Sequence, residues 1–105
     1  MTTVTFEPPA VVAREAARGL KLRASLPPSK RCCTPVGIRR AVQLKNRQPV
    51  SLKTIKRMKA YFDRHRVDKK GKGWGVDSKG WQAWLLWGGD AGRDWANDVL
   101  DFYNG

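Results

Sequence analysis

At 105 residues with 41% hydrophobic content, the chain is one domain with a modest core, and no run approaches the ~18–20 apolar residues of a membrane span. Its net charge of +12 is one-sided: residues 1–62 carry fourteen Lys and Arg against Glu7 and Glu15, whereas residues 63–105 carry seven basic and seven acidic residues. A field of this kind attracts polyanions, which makes nucleic acid the first partner to weigh against a basic face kept only for solubility.

Residues 1–9 read as an extended arm ended by Pro8-Pro9, with neither the basic n-region nor the apolar h-region of a secretory signal. A single helical domain is expected over 10–105. From Ala10 the pattern turns helical, with Val11, Val12, Ala16 and Leu20 near one face and Arg14, Arg18, Lys21 and Arg23 over much of the rest. Gly19 weakens that helix by about 1 kcal/mol relative to Ala, and Ser25-Leu26-Pro27-Pro28-Ser29 stops it. Lys30 to Thr34 reads as an exposed basic loop. Its adjacent Cys32 and Cys33 lack the CxxC spacing of a zinc site, and adjacent cysteines rarely bridge each other, so reduced thiols are expected, with intermolecular pairing the alternative for an exposed segment.

Thr34-Pro35 supplies a capping hydroxyl and a proline for the first helical position, opening a short helix to Lys45 or Asn46. After a turn containing Pro49, Ser51 caps a helix from Leu52 to about Arg66. Its apolar Leu52, Ile55, Met58, Ala60, Tyr61 and Phe62 follow a 3.6-residue period, with Lys53, Lys56, Arg57 and Lys59 largely on the opposite face. Residues 68–80 hold four glycines and read as a Gly/Lys-rich loop. Trp81 to Trp87 forms a short apolar helix closed by Gly88-Gly89. Asp90 is then placed as the cap of a last helix that turns Trp95, Val99 and Phe102 or Tyr103 toward the core, with Asp94, Asp98 and Asp101 on its outer side. No strand is convincing. The expected fold is all-α, with about five short helices in one compact domain.

The helices flanking residues 46–50 resemble a helix-turn-helix, although Ala41 and Ile55 are too far apart for its strict form. Phosphate-directed binding asks for charge without exact register. The candidate contacts are Arg39, Arg40, Lys53, Lys56, Arg57 and Lys59 on the helices and Lys70 and Lys72 on the loop, with Trp74 as a base-stacking aromatic. Trp84, Leu85, Trp87 and Trp95 read as core, while Trp74 and Trp81 fit either base stacking or a protein-binding hot spot. Catalysis finds little support. The lone His65 is better spent on a local hydrogen bond to Asp68, and Gly71-Lys72-Gly73-Trp74-Gly75 lacks the flanking strand and Lys-Ser/Thr of a P-loop. No metal set or cofactor motif stands out. Asp90, Asp94 and Asp98 are better read as a solvated face.

The run Arg57-Met58, Tyr61-Phe62, Arg64-His65 and Asp68, followed by Ala83-Trp84-Leu85-Leu86-Trp87-Gly88-Gly89-Asp90-Ala91-Gly92 and Trp95-Ala96, resembles a small domain of tailed-phage proteins. That domain occurs alone or fused to head-morphogenesis and capsid-maturation protease proteins. The similarity spans roughly residues 13 to 100, with departures in the shortened loop near 69–80 and around Cys32-Cys33. It implies a phage setting, in the host cytoplasm or the virion, and association with DNA or with capsid or head proteins; it supplies no catalytic residues. The sequence therefore supports a small basic nucleic-acid-binding protein, with a structural virion protein, such as a capsid cement or head-internal component, as the alternative.

Overall fold

The computed structural model describes the backbone of residues 4–104; residues 1–3 of the expected arm and the terminal Gly105 lie outside it. Five helices build the domain: α1 (Ala10–Ser25), α2 (Pro35–Lys45), α3 (Leu52–His65), α4 (Lys79–Leu86) and α5 (Gly89–Asn104). The all-α architecture is as expected, with one addition. Two-residue strands β1 (Thr5–Phe6) and β2 (Val50–Ser51) pair antiparallel, Thr5 opposite Ser51 and Phe6 opposite Val50. Arg47 Nε also donates to Pro8 O at 2.8 Å. Residues 4–9 are thus extended, but they lie against their own domain.

Local chemistry sets the helix starts. The Thr34 side chain accepts the Gly37 N–H ahead of Pro35, and the Ser51 hydroxyl accepts the Thr54 N–H at 3.1 Å. Ser78 does the same for Trp81 at 3.1 Å, so α4 begins at Lys79 and not at Trp81. At its other end, Gly88 and Gly89 take φ of +110° and +66°, a conformation that carries little cost for glycine alone. The last helix therefore begins at Gly89, and Asp90 lies inside its first turn instead of capping it.

Helix α1 is the hub. It packs on α2, α4 and α5, whereas α3 packs chiefly on α5. The successive helices α2 and α3 share little direct packing, so they do not form the tight unit of a helix-turn-helix. Val12, Leu44, Ile55, Met58, Phe62 and Trp84 are fully buried in the main core. Trp87 and Trp95 pack against it while half-buried. Where α1 crosses α4, a side chain on Gly19 would meet Leu85 Cβ at 2.8 Å and the Leu86 backbone nitrogen at 2.9 Å. The glycine that looked like a weak point of α1 is its contact point with α4.

The segment between α1 and α2 is a structural clasp rather than a free basic loop. Arg31 Nε donates to Leu26 O and to Arg23 O, which also accepts the Leu26 N–H, and its Nη2 donates to Ala24 O, closing the end of α1. The buried Gln82 accepts from Cys32 N at 3.1 Å and donates to Lys30 O and Asp77 O, both at 2.9 Å. One amide thereby ties two loops to α4 with its hydrogen-bonding capacity well used. Cys32 is buried, Cys33 adopts a φ of +85°, and the two are joined by a disulfide. The expected reduced thiols are corrected, and of the two only Cys33 is exposed: Arg23 and Gln82 fix the backbone of Cys32, and the left-handed turn at Cys33 brings the sulfurs together.

Candidate nucleic-acid interface

The outward face of α3 follows from helical geometry. At 100° per residue, Lys53, Arg57, Ala60 and Arg64 fall within about 60° of one another, and Lys56 borders them. All five residues are exposed, opposite the buried Ile55, Met58 and Phe62. The stripe runs about 16 Å along the axis. Among the described residues none of Lys53, Lys56, Arg57 and Arg64 has a carboxylate partner. Arg64 belongs with this set and was not among the expected contacts; its spacing of seven from Arg57 and eleven from Lys53 was the available signal.

The other candidates separate. Arg39 is exposed on α2. Arg40 is half-buried, with Nη1 donating to Gln43 Oε1 and a buried Nε that has no partner. Burial first, and then the positive charge of Arg57, pulls the Arg40 guanidinium below its ordinary pKa. Of the two arginines on α2, Arg40 is the one near enough to α3 to feel the charge of Arg57. Lys59 differs: its Nζ lies 2.8 Å from Asp63 Oδ2, one turn away, so much of its charge is offset. Lys70 is exposed at the end of the short 3₁₀ turn Arg66–Lys70, and Lys72 is exposed just beyond it. Trp74 is half-buried, its ring centroid 5.0 Å from that of Trp81 and 5.4 Å from that of Trp84, both edge to face. It serves as a rim of the core, and much of its surface is already used.

The remaining titratable groups are structural. His65 Nδ1 lies 3.2 Å from Asp68 Oδ2, the i+3 contact expected at the end of α3. His65 also stacks on Tyr61, which in turn stacks on Trp87, with centroids 4.6 Å and 4.8 Å apart. Burial, helped by the negative charge of Asp68, pushes the Tyr61 phenol far above its ordinary pKa, and its hydroxyl has no hydrogen-bond partner among the described residues. Asp90 Oδ1 accepts from Trp84 Nε1 at 2.8 Å and Lys69 Nζ at 3.1 Å, with Arg93 at 3.7 Å. Burial alone would raise this carboxyl; those hydrogen bonds and the two cations outweigh it and hold the group below its usual range. No group of three His, Cys, Asp or Glu among the described residues is placed to hold a metal ion.

A second kind of surface lies at the far end of α5. Val4, Phe6, Val99, Phe102 and Tyr103 surround a shallow cavity of about 420 Å³; the expected core placement of Phe102 or Tyr103 is corrected, because both are exposed, Phe102 at 83%. No helix among the described residues is long and apolar enough to cross a membrane. Compared with known proteins, the chain matches no family model, no curated protein and no solved structure.

Proposed function

We propose that this chain is a small non-enzymatic protein that binds nucleic acid, DNA first, through the outer face of α3. The observation that carries the reading is the stripe of Lys53, Lys56, Arg57 and Arg64, exposed and without carboxylate partners among the described residues, on a packed helix. Cations left unpaired on a packed helix stand ready to replace counterions along a phosphate backbone, and such binding needs no base contacts. Arg40, beside Arg57, extends the surface toward α2. With the resemblance to small tailed-phage domains, the setting is a phage protein acting in the host cytoplasm or the virion.

The alternative is a structural virion protein acting through protein contacts. The apolar patch around Phe102 favours it, because large exposed apolar side chains grouped together mark interaction surfaces. Against it, Thr5 and Phe6 are already paired with β2 and Pro8 O with Arg47, which leaves less of the arm free to grip a neighbouring subunit.

Fluorescence anisotropy with short duplex DNA across a salt series tests the first reading. Four phosphate contacts give a slope of about −3.6 in log K against log salt, so affinity falls roughly 150-fold between about 50 and 200 mM salt. The triple variant Lys53→Ala, Lys56→Ala, Arg57→Ala flattens the slope to about −1. A triple variant indistinguishable from the unmodified protein, or no binding at the lowest salt, rejects the α3 interface.

A further inference from the structure

Two cavities lie end to end along the outer side of α1 and α4, of about 350 and 340 Å³, and they share Arg18, Trp81 and Leu85. The first continues past Arg14 toward the start of α5, and the second past Lys21 toward Gly75 and Val76. Together they form one groove that shares no residue with the α3 stripe.

Its chemistry combines a planar apolar floor with a line of cations. Trp81 is half-buried, and the Arg18 guanidinium sits 5.4 Å from its ring centroid. Arg14, Arg18 and Lys21 recur at i, i+4 and i+7, so they share one face of α1 and span about 10 Å along it; all three are exposed. Arg14 and Lys21 have no carboxylate partner among the described residues. The groove's two acids are engaged: Glu15 faces Arg18 at 3.4 Å, and Asp90 is taken up by Trp84, Lys69 and Arg93. An indole and a guanidinium plane offer stacking surfaces to a flat ring, and the flanking cations offer contacts to a phosphate chain. Bases within a duplex are already stacked on one another, so only an unpaired strand can present a base face to Trp81.

We propose that the α1–α4 groove is a second nucleic-acid site, for single strands, in which Trp81 and Arg18 form the base platform and Arg14 and Lys21 hold the backbone. This extends the nucleic-acid reading to a different face, so the two can fail separately. The test titrates fluorescein-labelled oligothymidylate and a duplex into the intact protein, its Arg14→Glu, Lys21→Glu variant, its Trp81→Ala variant and the α3 triple-alanine variant. The charge reversal lies on exposed positions and keeps the fold. It is expected to weaken oligothymidylate binding by about tenfold or more while duplex affinity changes little. Trp81→Ala is expected to weaken the single strand by about 5- to 150-fold, the loss of one stacking platform, and the α3 variant reverses the pattern by losing the duplex.

If oligothymidylate binding survives both groove variants, or is lost only in the α3 variant, the groove is not the site and the α3 reading alone stands. If duplex binding is absent while oligothymidylate binding falls with the groove variants, the α3 reading fails and this one holds. Equal competition by polyglutamate would overturn it in favour of an acidic peptide partner, because the stacking platform would then contribute nothing.

Discussion

Replacing Gly19 by alanine sets two physical effects of opposite sign against each other. Inside a helix, Gly→Ala is favourable by about 1 kcal/mol, from reduced backbone entropy in the unfolded chain and better helix propensity. The tertiary contact opposes it. The new methyl would lie 2.8 Å from Leu85 Cβ and 2.9 Å from Leu86 N, atoms fixed to the α4 backbone and unable to rotate away. Helices α1 and α4 must separate by roughly half an ångström, and forcing one extra carbon into a packed interior costs about 1–3 kcal/mol. The net expectation is a loss of about 0–2 kcal/mol, and at about 4–8 °C per kcal/mol for a domain near this size the melting midpoint drops by up to ~15 °C. Thermal and urea unfolding followed by circular dichroism measure it. A midpoint raised by several degrees would show that propensity prevails and that α1 and α4 do not meet at Gly19.

Three further outcomes follow from the polar groups. Tyr61→Phe removes a buried hydroxyl without a partner, so stability should stay level or rise by up to about 1 kcal/mol; a clear loss in urea melts would reveal a partner for the hydroxyl. Because the folded phenol titrates above its unfolded value of about 10, the Tyr61 contribution is intact below that pH and is lost as pH rises beyond it. The alkaline fall in stability should therefore be shallower in Tyr61→Phe. Asp90→Asn keeps an acceptor for the Trp84 indole but loses the charge facing Lys69 and Arg93. The carboxylate is 60% exposed, so the cost at neutral pH should stay below about 1 kcal/mol. With its folded pKa depressed, that contribution is present above the unfolded value of about 3.9 and disappears as pH falls through the lower folded value, so the two stability curves should converge in acid; a constant offset would refute the charge argument. Arg31→Ala strips three hydrogen bonds from the last carbonyls of α1, at a cost of about 1–3 kcal/mol, and hydrogen exchange should show faster amides near Leu22 to Leu26 if the clasp closes that end.

Much of the candidate interface was legible because it is a property of one helix. Lys53, Lys56 and Arg57 face outward since Ile55, Met58 and Phe62 must face inward, and the 3.6-residue period carries both facts. Arg64 was available from the same period. Lys59 was not separable in this way: its ion pair with Asp63 depends on rotamers as well as spacing. The stacking role foreseen for Trp74 is reduced by its packing against Trp81 and Trp84, whereas Trp81, left open between two roles, lines a groove built from three helices.

The sequence by itself determined the helices, most of their limits and the one-sided charge. Caps such as Thr34 and Ser51, the proline at the start of α2 and the glycines after α4 act within about four residues of their own position. Only the tertiary structure decided what the helices do to one another. Gln82 ties down Cys32 from 50 residues away and Lys30 from 52, Asp90 joins α4 and α5 to Lys69, and Gly19 earns its place from α4 rather than from α1. Helical periodicity specifies which face is buried but leaves open which helix buries it, and that choice rests on the packing of the whole core.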